Sequence, residues 1–366
     1  MSRPLSRAQH QRPRRSARQQ QGVALLVAIL LVALGTIIAA AVAYENAMTA
    51  RRGTGTYAFD QSLLIGEGAE ALAAYGLRQL YAGDPKHIIY RGQGWDKTLG
   101  PIEVVPGVML EASLDDLQGR FNLNNLVRLD GTPDEVEVEA FRNLLETLHL
   151  EPKWAGYLVD WIDEDNNVAS IPEGAEDNVY TGQTPPYRPP NRYITSASEL
   201  LALPGFGLER YRVLAPYVTA LPHPLPTATP INVCTAPGKV LDAFIGPGHQ
   251  DFGGDEATLQ KNRLAASACF PTLDNYKAAF NPPQKWTGIT APTGQPRVPG
   301  QSPPPPPDGA VNKFGMSSSY FRLTSFITIG STEFNLYSLL YQDGRGSGAV
   351  RSIQRSFTPD ELRRVP

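Results

Sequence analysis

The chain has 366 residues, enough for two or three domains, with 42% hydrophobic residues and a formal net charge of −3. Its first 22 residues hold six arginines and no acid, so the remainder carries a charge of about −9. That acidity argues against a bulk-basic nucleic-acid surface, and 33 Pro with 33 Gly call for long irregular segments.

Arg3, Arg7, Arg12, Arg14, Arg15 and Arg18 precede Gly22, and an uncharged apolar run, Val23 to Ala43, follows at once. The run has the roughly 20 residues that one helix needs to cross a bilayer. Basic residues beside a span stay on the cytoplasmic side, so the rest of the chain is predicted to face outward. A secretory signal has a shorter apolar core with its cleavage site after it, whereas here the glycine comes first. QQQG followed by VALLVAILLVALGTIIAAAVAYENA resembles the class III leader of type IV pilins and pseudopilins, which a prepilin peptidase cuts after the Gly. The resemblance puts Gly22 and Val23 on either side of the cut and leaves the membrane helix on the mature chain. A plain N-terminal anchor is the alternative.

From Val23 to about Tyr81 the chain reads as one long helix. It turns amphipathic after Tyr44, with Leu63, Leu64, Ala69, Leu72, Ala73 and Leu77 near a helical period. Gly53, Thr54, Gly55 and Thr56 mark a weak point or kink. Ile102–Leu114 has strand character broken at Pro106-Gly107, and Asp115–Asn125 is turn-rich. Asp134–Leu150 and Trp154–Ile162 read as helices, and Asp163–Asn191 as a long polar loop. Ser198–Leu203 and Leu208–Val218 are two short helices joined by Pro204-Gly205, and Asn232–Ile245 is a turn and helix that restarts the first domain. Phe280–Gly309, with its Pro303–Pro307 run, reads as a surface excursion or linker. Tyr320–Gly330, Glu333–Gln342 and Ala349–Phe357 alternate apolar and polar residues, as an antiparallel meander with one buried face requires.

The expected fold class is therefore α+β: a pilin-like long N-terminal helix packed on an antiparallel sheet, with a large, mainly helical inserted domain. The divisions are a basic leader (1–22), the membrane part of the helix (23–43) and a first pilin-like part (44–114). The inserted helical domain (115–230) and a second pilin-like part (231–366) with the Pro-rich excursion at 280–309 complete the chain.

Several segments in order resemble the K-type minor pseudopilin of type II secretion systems. They are DLQGRFNLNNL (Asp116–Leu126), LVDWIDEDN (Leu158–Asn166), EGAEDNVY (Glu173–Tyr180), PPYRPPNRYITSASELLALPGF (Pro185–Phe206), and LAPYVTALP with PINVCTAP (Leu214–Pro237). The resemblance implies a subunit that caps the pseudopilus tip and helps initiate its assembly, for export of folded proteins across the outer membrane. It implies I-type and J-type minor pseudopilins as partners, prepilin peptidase processing, and methylation of the new Val23 amine. It also implies a single pass through the inner membrane, with the C-terminal domain in the periplasm. Counted from Val23, the fifth residue is Val27, where most pilins carry a Glu that neutralises a neighbouring N-terminal ammonium. A subunit that starts a filament has no such neighbour, and K-type pseudopilins resemble this chain in lacking the Glu.

Asp160, Asp163, Glu164, Asp165, Asn166 and Asn167, then Glu173, Glu176 and Asp177, form an acid cluster suited to calcium. Asp163-x-Asp165-x-Asn167 opens like an EF-hand loop, but Val168 replaces the Gly at position six and Gly174 the Glu at position twelve. The resemblance implies calcium in this region; among these acids Asp163, Asp165, Glu176 and Asp177 are the expected ligands, in a structural role, and the alternative is a solvated acidic loop. Leu203-Pro204-Gly205-Phe206-Gly207 resembles the hairpin of helix-hairpin-helix DNA-binding modules, but Glu199 and Glu209 flank it. No nucleic-acid partner is expected, and the hairpin reads as structural. A minor pilin of a type IV pilus or DNA-uptake machine, with a DNA-contacting hairpin, is the alternative function. A membrane-anchored carbohydrate hydrolase using the paired acids is a third reading. No nucleophile elbow, phosphate loop or histidine metal spacing occurs, so no catalysis is expected. Cys234 and Cys269 both lie on the outward side of the anchor, where an oxidising compartment favours a disulfide between them; two unrelated buried thiols are the alternative.

Overall fold

The apolar run and the amphipathic stretch behind it form one 67-residue helix, α1 (Ala17–Gly83). The computed structural model describes residues 17–168, 174–222, 228–246, 248–265, 269–279, 313–343 and 348–358. α1 is unbroken across Gly53–Thr56, where the sequence predicts a weak point. Thr54 and Thr56 donate their hydroxyls to the carbonyls of Ala50 and Arg52, at 2.7 and 3.1 Å, so neither offers the backbone a competing turn. α1 is long and apolar enough to cross a membrane, by length and composition. The chain divides into two units, 1–61 and 62–366. The described part of the first is helix alone.

In the second unit, β1 (Leu99–Val105) and β2 (Val108–Asp116) form a hairpin after α1. Then come β3 (Phe121–Asn122), α2 (Glu135–Thr147), α3 (Trp154–Ile162) and α4 (Asp177–Thr181). The first of the two short helices expected from the sequence is a 3-10 helix, Ala197–Ala202, and α5 (Gly207–Leu214) follows it. β4 (Val218–Thr219), β5 (Ile231–Asn232), α6 (Gly238–Ile245), α7 (Glu256–Ala265), α8 (Leu273–Ala279) and β6 (Phe314–Gly315) lead to β7 (Tyr320–Ile329), β8 (Thr332–Gln342) and β9 (Val350–Ser356). The excursion expected at 280–309 lies outside the described residues. Helices α7 and α8 have no counterpart among the elements expected from the sequence. α7 buries only Leu259 and Arg263, so its periodicity is faint.

The five-stranded sheet runs β1-β2-β7-β8-β9, antiparallel throughout, with Leu110 opposite Ile327 and Phe321 opposite Leu340. Alternation puts Val108, Leu110, Ala112, Phe321, Leu323, Ile327 and Leu340 on one face, where they share a core with Ala69 and Leu77 of α1. Gly66 lets α1 come close to β8: a Cβ there would meet the Leu336 side chain at 2.5 Å.

A second core is helical, with Phe121, Phe141, Leu144, Leu158, Phe206 and Leu214 among its members. It reaches beyond residue 230, where the sequence pattern suggests a return to the sheet. Val240, Leu241 and Phe244 of α6, Tyr276 of α8 and Phe314 of β6 all belong to it. α6 buries seven of its eight residues, so it needs neighbours on every side, which one face of a sheet does not supply. α2 is one such neighbour, and Asn143 Nδ2 there donates to the Ala243 carbonyl at 3.0 Å.

Candidate functional site

α3 is apolar enough to bury Trp154, Leu158, Val159 and Trp161, and its phase carries Asp160 inside with them. The helix ends at Ile162, so Asp163 is its C-cap and Asp165 lies in the loop beyond. Glu176 is the N-cap of α4, yet its carboxylate makes no capping bond. It joins Asp163 and Asp165 instead, and one carboxylate oxygen from each lies within 4.8 Å of the others. Asp163 and Glu176 are buried, and Asp165 is exposed.

Asp163 Oδ1 and both Glu176 oxygens are buried without a hydrogen-bond partner. Orphan acceptors of this kind are rare in a folded interior and costly. Burial, then Asp160, Asp165 and Glu176, push the Asp163 carboxyl up to about 7. Burial, then Asp160, Asp165 and Asp177, do the same to Glu176, also to about 7. Three converging carboxylates, two of them with unsatisfied buried oxygens, are a hard-oxygen donor set, and a divalent cation such as calcium would satisfy the lone pairs and the charge together.

The support around the three acids is specific. Asp160 Oδ2 accepts the Ala175 N–H at 2.6 Å and so fixes the strand of chain that delivers Glu176. Gly174 makes this approach possible, since a Cβ there would collide with the Asp160 carboxylate and Val168. Asp165 Oδ1 accepts the Asn167 N–H at 2.6 Å, shaping its own turn. Asp177, the fourth residue expected at the site, starts α4 and pairs with Arg188 at 3.4 Å, outside the group of three. Glu173 lies outside the described residues.

The asparagines of DLQGRFNLNNL tie the insertion shut. Asn124 Nδ2 donates to the carbonyls of Ile194 and Leu221, both at 2.9 Å, and its Oδ1 accepts the Ile194 N–H at 2.9 Å. Asn122 Oδ1 accepts the Leu221 N–H at 2.9 Å, and Asn125 exchanges two bonds with the Thr229 backbone at 2.9 and 3.1 Å. Asp116, at the end of β2, accepts from Thr235 Oγ1 at 2.5 Å, Ser318 Oγ at 2.7 Å and Asn232 Nδ2 at 3.1 Å. One short segment thereby joins the places where the chain leaves the sheet, crosses the helical core and comes back. Such amide side chains serve because each presents a donor and an acceptor to one backbone unit.

In the hairpin, Arg210 binds Glu151 through Nε and Nη2, both at 2.9 Å, and its Nη1 donates to the carbonyls of Gly205 and Phe206. Phe206 packs edge-on against Trp154 at 5.2 Å. The hairpin is an internal joint to α3, and its nearest arginine is engaged there. Cys234 and Cys269 form a disulfide inside the helical core. Arg263 donates to the carbonyls of Val233, Ala236 and Phe270, on both sides of that bridge. Gly22 and Val23 lie within α1 and are exposed.

The family model for type II secretion system protein K matches residues 119–223. The chain is 36% identical over 245 residues to the type II secretion system protein K of Pseudomonas aeruginosa, covering 64% of this chain and 71% of that protein. It is 38% identical over 219 residues to the Aeromonas hydrophila protein of the same name, covering 57% and 65%. With the Klebsiella pneumoniae protein of that name the identity is 29% over 343 residues, covering 91% and 96%. Among solved structures, one chain of the GspK-GspI-GspJ complex from enterotoxigenic Escherichia coli superposes with a TM-score of 0.63 at 21% identity. The match covers 84% of this chain and 99% of that one.

Proposed function

The chain belongs to the type II secretion system protein K family, and from that membership we propose that it is a minor pseudopilin. It caps the pseudopilus tip and helps start assembly, so that folded proteins are exported across the outer membrane. The observation that carries this reading is where the helical core is built. β2 and β7 are neighbours in the sheet, and the whole core is inserted between them. A filament whose subunits pack helix against helix has no room for that bulk on every subunit, whereas a copy at the end meets no subunit beyond it. Val27 agrees, since a terminal subunit has no earlier ammonium to neutralise.

In this reading α1 meets the helices of I-type and J-type minor pseudopilins, in keeping with the solved GspK-GspI-GspJ assembly. Prepilin peptidase cuts between Gly22 and Val23, and the new amine is methylated. Residues 23–43 anchor the chain in the inner membrane, the arginine-rich head is cytoplasmic before cleavage, and the second unit lies in the periplasm. Calcium is structural, held by Asp163, Asp165 and Glu176. The protein carries no catalytic activity: its converging acids are those that hold the cation.

Intact mass of the full chain, produced with and without the peptidase and the two partners, tests the assignment. A start at Val23 that depends on the peptidase, and a complex with both partners in detergent, are expected. An uncut chain beside a cleaved control would reduce residues 1–43 to a plain anchor. A cut chain that binds neither partner would remove it from the tip.

A further inference from the structure

Asp134 caps α2 by accepting the N–H groups of Val136 and Glu137, both at 3.2 Å. Glu137, in the first turn of the same helix, is 1% exposed. The two carboxylates share one ammonium: Lys313 Nζ lies 2.8 Å from Asp134 Oδ2 and 3.2 Å from Glu137 Oε1, and Lys313 is itself buried. Lys313 stands directly before β6, which pairs with β5. Among the described residues, Asp134 and Lys313 are the charged groups facing Glu137. Arg128 reaches the cluster only through Asp134, at 3.3 Å, and is half exposed. Asn125 adds a neutral contact to Glu137 Oε1 at 3.5 Å, and Glu137 Oε2 is buried with no hydrogen-bond partner.

Two buried carboxylates therefore face one buried ammonium. Ionising both leaves an excess negative charge inside the protein, beside an oxygen with no donor, and that is costly. Asp134 keeps two backbone N–H groups, Lys313 and Arg128, so the proton belongs on Glu137. We infer that Glu137 is an acid-sensitive latch: protonated, it lets the chain returning at Lys313 dock on the start of α2, and ionised, it loosens that return.

The charge balance agrees. Burial outweighs the pull of Lys313 and raises the Glu137 carboxyl from 4.5 to about 7. At Asp134 burial is outweighed by Lys313, and the carboxyl is lowered. A carboxyl that binds its proton more tightly in the docked form stabilises docking at low pH. That contribution is complete below 4.5, declines as pH rises, and is lost by about 7.

Hydrogen exchange on the full-length protein in detergent reads the latch. The Val233 N–H donates to the Gly315 carbonyl at 3.0 Å, so its protection reports whether the returning chain is docked. Corrected for intrinsic exchange, protection should fall between about pH 5 and about pH 7, by up to about tenfold per unit. In Glu137→Gln the fall should be clearly shallower than in the parent, and protection at about pH 7 no lower than in the parent. Equal slopes in both proteins overturn the latch. So does a Glu137→Gln protein that loses protection equally at both ends of the range, because Glu137 is then needed as an anion. If that variant does not fold, the carboxyl carbon-13 titration of Glu137 in the unaltered chain decides. A carboxylic acid at about pH 5.5 supports the latch, and a carboxylate at that pH ends it.

Discussion

Arg355, on the last strand of the sheet, holds Glu70 of α1 with two hydrogen bonds: Nε to Oε1 at 2.8 Å and Nη2 to Oε2 at 2.7 Å. Ser338 of β8 donates to the same carboxylate at 2.6 Å, and Arg355 Nη1 lies 3.0 Å from Glu67. The helix is thus bound to the sheet by a charged clamp as well as by its apolar stripe. Burial raises the Glu70 carboxyl, but the bonds from Arg355 and Ser338 outweigh it and the net shift is downward from 4.5. A lowered carboxyl contributes stability that is present above its unfolded value and lost as pH falls through the folded one. Glu70→Gln should therefore cost about 1–2 kcal/mol near neutral pH, seen as a melting temperature lower by a few degrees. The difference from the parent should shrink as the melts are taken down to about pH 3. A difference that does not change with pH would mean that the carboxylate charge is irrelevant to the clamp.

The cluster of Asp163, Asp165 and Glu176 makes the opposite prediction for the metal-free protein. Asp163 and Glu176 are both raised to about 7, so they are protonated more readily folded than unfolded. Their effect is to remove stability as pH rises from about 4 to about 7. Calcium should restore it, with a thermal shift that grows over the same range as the ligands ionise. Asp163→Asn should melt higher than the parent without calcium and respond less to calcium. If it melts lower without calcium and keeps the full response, Asp163 is not a ligand.

Gly174 predicts how tightly that site is built. Ala at this position brings a Cβ onto the Asp160 carboxylate, which holds the Ala175 N–H. Gly174→Ala should weaken the calcium-dependent thermal shift about as much as loss of a ligand, although it removes no oxygen. An unchanged calcium titration would show that the Asp160 bond does not position Glu176.

The disulfide closes a loop of 35 residues across the helical core. Replacing both cysteines by serine should lower stability to denaturant by about 2–4 kcal/mol, mainly by freeing the unfolded chain. Reducing agent should lower the parent to the level of the double variant and leave the variant unchanged. A parent insensitive to reductant after full unfolding and refolding would show that the bridge contributes nothing.

Asn124 closes the insertion with three bonds to the backbone of Ile194 and Leu221. Asn124→Leu keeps the volume but leaves two carbonyls and one N–H without these partners, at a cost of about 2–4 kcal/mol. Limited proteolysis should then cut near residues 194–221 faster than in the sheet. Uniform cutting throughout would indicate that the insertion and the sheet unfold as one piece.

Much of this protein was legible in its residues because the signals are local. An uncharged apolar run sets a helix long and apolar enough to cross a membrane, and alternation over Tyr320–Gln342 sets paired strands, whatever the rest of the chain does. The acid site was half legible. Residue type marks Asp163, Asp165, Glu176 and Asp177 alike, but the start of α4 separates the last two: Glu176 turns to the other acids, and Asp177 turns to Arg188. Tertiary structure alone decided which oxygens lost their water without finding a donor, and that α6 belongs with α2 rather than with the sheet. It alone brought Lys313 between Asp134 and Glu137. Burial and charge pairing depend on residues far apart in the chain, and periodicity along the chain carries no information about which of them meet.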